Sequence, residues 1–144
     1  DELWYLAAIM PIVAGMGGNA GTQALAVTVR RIAVTSGVLE KRADAVGKEV
    51  LVGLVNGIVL GLLAAGVAWV AVATRPGLDP LLPAVVLMAM WGNIVVAGFA
   101  GAFIPTVLDR AGIDPAVASS VFVTTFTDLF GFFLLLGLAS ALLL

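Results

Sequence analysis

Four long apolar segments constrain this chain more than any other feature of its sequence. They run roughly over residues 3–32, 46–74, 81–108 and 116–144, and each is long enough for an α-helix to cross a hydrocarbon core, which takes about 20 residues. Of the 144 residues, 62% are hydrophobic and 11% are charged, far from the balance of a soluble globular domain. The sequence therefore predicts an all-α integral membrane domain, a bundle of four transmembrane helices in contact with lipid.

The residue types that are missing narrow the chemistry. The chain has no cysteine and no histidine, and its formal net charge is −2. Disulfides, thiolate or imidazole metal sites and histidine-based catalysis are thereby excluded, which leaves oxygen ligands and the hard cations that prefer them. So small a net charge does not predict a nucleic-acid surface either.

Basic residues mark one loop as cytoplasmic. Five of the seven lie at or between the facing ends of the first and second segments: Arg30, Arg31, Lys41, Arg42 and Lys48. The positive-inside rule places this loop, residues 30–48, in the cytoplasm, and with it the loop over residues 109–115. Both ends of the chain, including the C-terminus, then face outside. Because a bacterial-type chain without a signal peptide normally starts in the cytoplasm, we expect a fifth transmembrane helix upstream.

A glycine-rich stretch interrupts the first segment. Residues 15–23 contain four glycines together with Asn19 and Gln23. Glycines four apart, such as Gly17 and Gly21, are typical of a face where helices pack closely, but glycine-rich backbone at bilayer depth also lines water-filled cavities. Packing does not call for two amides one turn apart. We therefore keep both interpretations, a packing face and a pore lining, for Gly17, Gly18 and Gly21.

The middle segments carry further small and polar residues. Gly53, Gly57 and Gly61 are spaced for helix packing, and Asn56 between them predicts a hydrogen bond to a neighbouring helix. Asn93, near the centre of the third segment, fits either a pore lining or a buried amide.

The last segment holds the one deep carboxylate, Asp128. Ser120, Thr124 and Asp128 follow one another at intervals of four residues, so on a helix they form one polar stripe, with Thr125 beside it. A charge near the bilayer centre costs about 2.5–3.5 kcal/mol on insertion scales, and such residues usually mark ion or proton pathways. The alternatives for Asp128 are a proton relay or a buried, hydrogen-bonded acid.

A single carboxylate is a poor ligand set for a bare divalent cation. Mg²⁺ demands six oxygens in near-octahedral geometry and releases its waters reluctantly. Two copies of the chain that meet with Asp128 on either side of a shared axis would supply two charges to a hydrated ion. This argument favours a homodimer with a pore at its interface.

Three short motifs carry a family resemblance. The Gly17–Gln23 stretch, the Gly112–Ala116 start of the last segment and the Thr124–Asp128 run within it resemble the transmembrane domain of the MgtE family of magnesium channels and transporters. The resemblance extends over essentially residues 1–144. It implies a homodimer, five transmembrane helices per subunit and an interfacial cation pore, with the family's regulatory cytoplasmic domains outside this chain.

The resemblance also implies roles for individual residues. Asp128 matches the family's essential pore acid, and Asn19 matches its glycine-flanked asparagine. Thr124 and Ser120 match pore-facing positions, although the family often has an asparagine where Ser120 stands. Asp114 matches an acid near the cytoplasmic mouth that contacts regulatory ions.

The expected function is passage of Mg²⁺ into the cytoplasm, with Asp128 as the central cation site. Mn²⁺ and Co²⁺ accept the same ligands. The alternatives are an exchanger that couples Mg²⁺ to Na⁺ or H⁺, and a structural membrane scaffold, which would explain the glycines but not Asp128 with Asn19. An enzyme is not expected, because each chain offers one deep acid and no base within a segment.

Overall fold

The computed structural model describes residues 2–35, 40–117 and 120–143, and their regular structure is helical throughout. The four main helices are α1 (Glu2–Val34), α2 (Glu40–Thr74), α3 (Leu82–Arg110) and α4 (Ser120–Leu142). All four are long and apolar enough to cross a membrane. This confirms the all-α fold class and fits a multi-pass membrane protein.

The predicted segment bounds hold for α1 and α3 but not at the start of α2 and α4. Helix α2 begins at Glu40 rather than near residue 46, because the intervening residues are mostly good helix formers. Lys48 Nζ and Asp44 Oδ2, one turn apart, lie 2.7 Å from each other. Part of the predicted basic loop is therefore helix.

The start of α4 was also predicted too early. Pro115–Val117 form a 3-10 turn, residues 118 and 119 lie outside the described residues, and α4 begins at Ser120. Asp114 Oδ1 accepts a hydrogen bond of 2.9 Å from the Ala116 amide. Asp114 thus caps the 3-10 turn rather than α4.

Helix α3 ends in a turn that needs glycine. Gly112 has φ +73°, a left-handed backbone conformation that residues other than glycine rarely adopt. The amides of Gly112 and Ile113 donate to the carbonyls of Asp109 and Leu108 at 3.1 and 2.9 Å. This is a Schellman motif, and it turns the chain from α3 towards α4.

Helix α3 occupies the centre of the bundle. It packs against α1, α2 and α4, and α1 also packs against α4, whereas α1 and α2 touch each other little. The main core contains buried side chains from all four helices, among them Leu6, Val13, Ala68, Leu82, Val86, Ile94 and Leu135. The arrangement leaves one surface of α1 and α4 facing away from α3. This surface, which carries Asn19, Ser120 and Asp128, is called the flank below.

Glycines set the spacing of α2 from α3, as predicted. A Cβ at Gly53, Gly57 or Gly61 would lie 3.0–3.1 Å from the carbonyl oxygens of Ile94, Trp91 and Leu87 respectively. Backbones can approach this closely only where side chains are absent. The Trp91 indole Nε1–H donates to the Leu54 carbonyl at 3.2 Å and adds a polar anchor between the same helices.

Candidate ion site on the flank of α1 and α4

Asp128 lies in the middle third of the bundle. It is eight residues into α4, about 12 Å along its axis at 1.5 Å per residue. One turn nearer the start of α4, Thr124 packs against Gly18, close to the midpoint of α1. The side chain of Asp128 is half-buried, and among the described residues it has no hydrogen bond or ion pair. Its carboxylate oxygens are therefore available to a ligand.

The polar stripe of α4 forms as the spacing predicts. Ser120 is exposed, Thr124 and Asp128 are half-buried, and Thr125 beside them is exposed. The adjacent face of the helix enters the core through Val123, Thr127, Gly131, Leu135 and Ala139. The stripe thus lies at the edge of the α1–α4 contact, where it is accessible from outside the bundle.

The hydroxyl groups of Thr124, on the stripe, and of Thr127, beside it, are both bonded to the backbone of α4. Thr124 Oγ1 donates to the Val121 carbonyl at 3.1 Å, and Thr127 Oγ1 donates to the Thr124 carbonyl at 3.0 Å. A hydroxyl that donates its proton in this way still has acceptor lone pairs. Thr124 can therefore present an oxygen to a cation or to its water shell.

The glycine-rich stretch of α1 is continuous helix and fits tightly against its neighbours. A Cβ at Gly17 would contact the side-chain amide of Asn93, one at Gly18 would lie 3.3 Å from Thr124 Cγ2, and one at Gly21 would lie 2.6 Å from Val123 Cγ1. The packing interpretation of these glycines is thereby supported. Their additional role as a pore lining stays a prediction.

Asn19 differs from the glycines around it. Its side chain is exposed, because a position two residues from Gly17 lies roughly 200° around the helix. Thr22 Oγ1 donates to the Asn19 backbone carbonyl at 3.0 Å, and the Asn19 side-chain amide makes no hydrogen bond within the described residues. Asn19 therefore lies on the outer surface of α1, the helix against which Thr124 packs.

The last predicted ion contact, Asp114, lies apart from these residues. It is exposed in the connection between α3 and α4, and one of its carboxylate oxygens caps the 3-10 turn. The second oxygen can accept a ligand at the end of the bundle. The structure does not bring Asp114 together with Asn19, Thr124 or Asp128.

The donor set on the flank is an acid, an amide and hydroxyls. No cluster of three or more acidic side chains exists within residues 2–35, 40–117 and 120–143. One copy of the flank cannot replace the six waters of a Mg²⁺ ion, but it can contact a hydrated one. Chemically, the arrangement suits a hard cation that keeps most of its water shell.

Other polar groups occupy places that the sequence left open or missed. Asn93 is fully buried, which decides for the buried-amide alternative.

Asn56 is exposed and has no hydrogen bond within the described residues, contrary to the expected interhelical bond. It lines a groove of about 220 Å³ between α1 and α2 together with Gln23 and Glu49. Glu49 and Asn56 are seven residues apart, which places them on one face of α2, and this spacing is the feature of the sequence that indicates the groove.

Fold and flank together define a multi-pass helical membrane protein with an oxygen-rich surface at bilayer depth. The model of the MgtE family, described as divalent cation transporters, matches residues 10–138. The chain therefore belongs to the MgtE family, and this confirms the resemblance. A family of transporters also agrees with the expectation that the chain is not an enzyme.

Three curated relatives carry the name magnesium transporter MgtE. The Enterococcus faecalis protein is 41% identical over 97% of this chain. The Thermus thermophilus protein is 34% identical over 99% of this chain, and the Bacillus subtilis protein is 30% identical over 94% of it. The chain spans about a third of the length of these relatives, 29–30% in each comparison.

Proposed function

We propose that this chain forms the ion-conducting part of a Mg²⁺ channel or transporter, with Asp128 as the central cation site. The observation that carries the proposal is the carboxylate itself: half-buried at mid-bundle, without a protein partner among the described residues, and accessible on the outer flank. A lone ionised acid at that depth is unfavourable unless a cation or water reaches it. Because the three curated relatives are named magnesium transporters, we take this cation to be Mg²⁺.

The pore itself requires a second copy. In the proposed homodimer the flanks of α1 and α4 face each other, so two Asp128 carboxylates hold one hydrated ion between them. Asn19, Thr124 and Ser120 contact its waters, Thr125 extends the lining, and the buried glycines behind it bring α1 close to α3 and α4. Mn²⁺ and Co²⁺ fit the same oxygen donors.

The predicted topology gives the route of an entering ion, and the membrane potential gives the direction of transport. With the basic loop and the 109–115 loop on the cytoplasmic side, Mg²⁺ enters from outside, passes Asp128 and leaves along Thr124 and Ser120, and Asp114 meets ions near the cytoplasmic mouth. A negative interior drives this flux by about 2.3 kcal/mol per charge per 100 mV, hence about 4.6 kcal/mol for a divalent ion.

The test is Mg²⁺ uptake into liposomes that contain the full-length protein, under an imposed voltage and without Na⁺ or pH gradients. Asp128→Asn keeps the shape of the side chain and removes its charge, so we expect voltage-driven uptake to fall to background. Asp44→Asn is the matched control, because Asp44 is an exposed acid paired with Lys48; its uptake should equal that of wild type.

Two results would contradict the proposal. Uptake that persists in Asp128→Asn would remove that residue from the ion path. Wild-type protein that is silent until a Na⁺ or proton gradient is applied would replace passive conduction by coupled exchange.

A further inference from the structure

Asn93 is a polar side chain enclosed by three helices. It lies on α3, its exposed fraction is 0%, and its Nδ2 donates to the Val13 carbonyl of α1 at 2.9 Å. A hydrogen bond from a side chain to the backbone of another helix fixes both the height and the rotation of the two helices. Asn93 therefore ties α3 to α1 near the middle of the bundle.

The same amide fills space that glycines leave open on both helices of the flank. A Cβ at Gly17 of α1 would contact the Asn93 amide group, and a Cβ at Gly131 of α4 would lie 2.7 Å from Asn93 Nδ2. Asn19 follows Gly17 by two residues, and Asp128 precedes Gly131 by three. The amide thus lies between the two helices at the level of the candidate ion site.

The hydrogen bonding of Asn93 is incomplete, which bears on why an amide is there. Its Oδ1 is buried and has no partner within the described part of the chain. An unsatisfied buried acceptor costs about 1–3 kcal/mol, whereas an apolar side chain of similar shape avoids that cost. That cost offsets the roughly 0.5–1.5 kcal/mol that the bond to Val13 contributes, so bundle stability by itself does not favour an asparagine over a leucine at this position.

We propose that Asn93 is a positioning residue of the ion site. Its amide sets the separation and rotation of α1 relative to α4 and so holds Asn19 and Asp128 on one flank. The inference rests on the proposed function, since it assigns Asn93 a role in ion passage without contact with the ion. Sites of this kind tolerate displacements of only about 0.5 Å in their ligands.

The first experiment separates positioning from stability in the full-length protein. Asn93→Leu keeps the approximate shape and removes the donor to Val13. We expect Mg²⁺ uptake to fall about tenfold, as expected when ligands are misplaced by a fraction of an ångström. The thermal midpoint should stay at or above that of wild type.

Trp91→Phe is the matched control for this experiment. It removes another hydrogen bond from an α3 side chain to a neighbouring backbone, the one to Leu54 of α2. That bond does not involve the helices of the flank. Uptake by Trp91→Phe should equal wild type while its thermal midpoint falls.

A second readout does not depend on transport. The chain has no cysteine, so spin labels can be placed at Ile12→Cys on α1 and Phe133→Cys on α4, two exposed positions. We expect pulsed EPR distances between them to shift or broaden in Asn93→Leu and to stay unchanged in Trp91→Phe. Dilution with unlabelled protein removes distances between copies.

The outcomes distinguish this inference from the function on which it rests. If wild type conducts and Asn93→Leu conducts equally well with unchanged distances, the positioning role is wrong and the proposed function stands. If uptake and stability fall together while distances are unchanged, Asn93 is structural only. If wild type does not transport Mg²⁺, the proposed function fails, and an altered EPR distance would still support Asn93 as the element that orients α1 and α4.

Discussion

Asn19 and Asn93 are two amides at a similar height in the bundle, and they differ in almost everything else. Asn93 is enclosed between glycines and bound to Val13, whereas Asn19 is exposed on the outer flank and its side chain makes no hydrogen bond within the described residues. The inner amide orients helices, and in our proposal the outer amide contacts a hydrated ion. The comparison teaches that residue type does not decide the role of a polar group in a membrane bundle; the surface it faces does.

The largest effect on stability is expected where the inner packing is tightest. A Cβ in Gly101→Ala would contact the Gly21 carbonyl oxygen and lie 2.8 Å from the Ala24 Cβ. Because backbone atoms cannot move aside, we expect a loss of about 1–3 kcal/mol in unfolding free energy, measured by reversible denaturation in detergent. Gly66→Ala, where a Cβ meets nothing within 4 Å, is the control and should be at least as stable as wild type, because alanine has the higher helix propensity. Equal stability of the two variants would contradict the packing described for α1 and α3.

The next effect concerns the outer amide. Asn19→Ala removes a group that is exposed and makes no side-chain hydrogen bond within the described residues, so stability should not change. Uptake of Mg²⁺ should fall by up to about tenfold, because a hydrogen bond to a water of the ion's shell contributes about 0.5–1.5 kcal/mol. Asn56→Ala removes another exposed amide, on α2, and should conduct like wild type. A stable Asn19→Ala protein with normal uptake would exclude the outer amide from the ion path.

The smallest effects come from two neighbouring hydroxyls on α4, of which Thr124 is half-buried and Thr127 is fully buried. Thr124→Val alters the outer stripe and should lower uptake only a fewfold, since water can replace one hydroxyl oxygen. Thr127→Val alters the buried side, where Oγ1 bonds to the Thr124 carbonyl, and should lower the unfolding free energy by about 0.5–1.5 kcal/mol without affecting uptake. If Thr127→Val lowered uptake and Thr124→Val lowered stability instead, the assignment of Thr124 to the ion path and of Thr127 to the core would be wrong.

Much of the fold follows from sequence because apolar length and glycine spacing have few solutions in a membrane. The four helices, the glycine face of α2 and the polar stripe of α4 are all visible in the order of residues. The early start of α2 was missed because Glu40 to Ala45 have strong helix propensity but low hydropathy. The role of Asn93 could not be decided, because a buried amide and a pore amide have the same local sequence.

The candidate site follows from sequence less completely than the fold. Asp128 and Thr124 share a helix, so their alignment is a matter of spacing. The placement of Asn19 on the outer surface depends on how α1 is rotated, and that rotation is set by Gly17, Gly18 and Gly21 against two other helices. Such a rotation arises from tertiary contacts that no single segment encodes.

The central place of α3 bears on the order in which the molecule can be assembled. Helix α2 makes most of its contacts with α3, the next helix along the chain, whereas α1 and α4 must find each other from opposite ends of the described sequence. During synthesis the α2–α3 hairpin is complete once α3 has entered the membrane. The surface that joins Asn19 to Asp128 exists only after the last helix has been inserted, so a chain cut short before α4 would keep a packed hairpin and lack the candidate ion site.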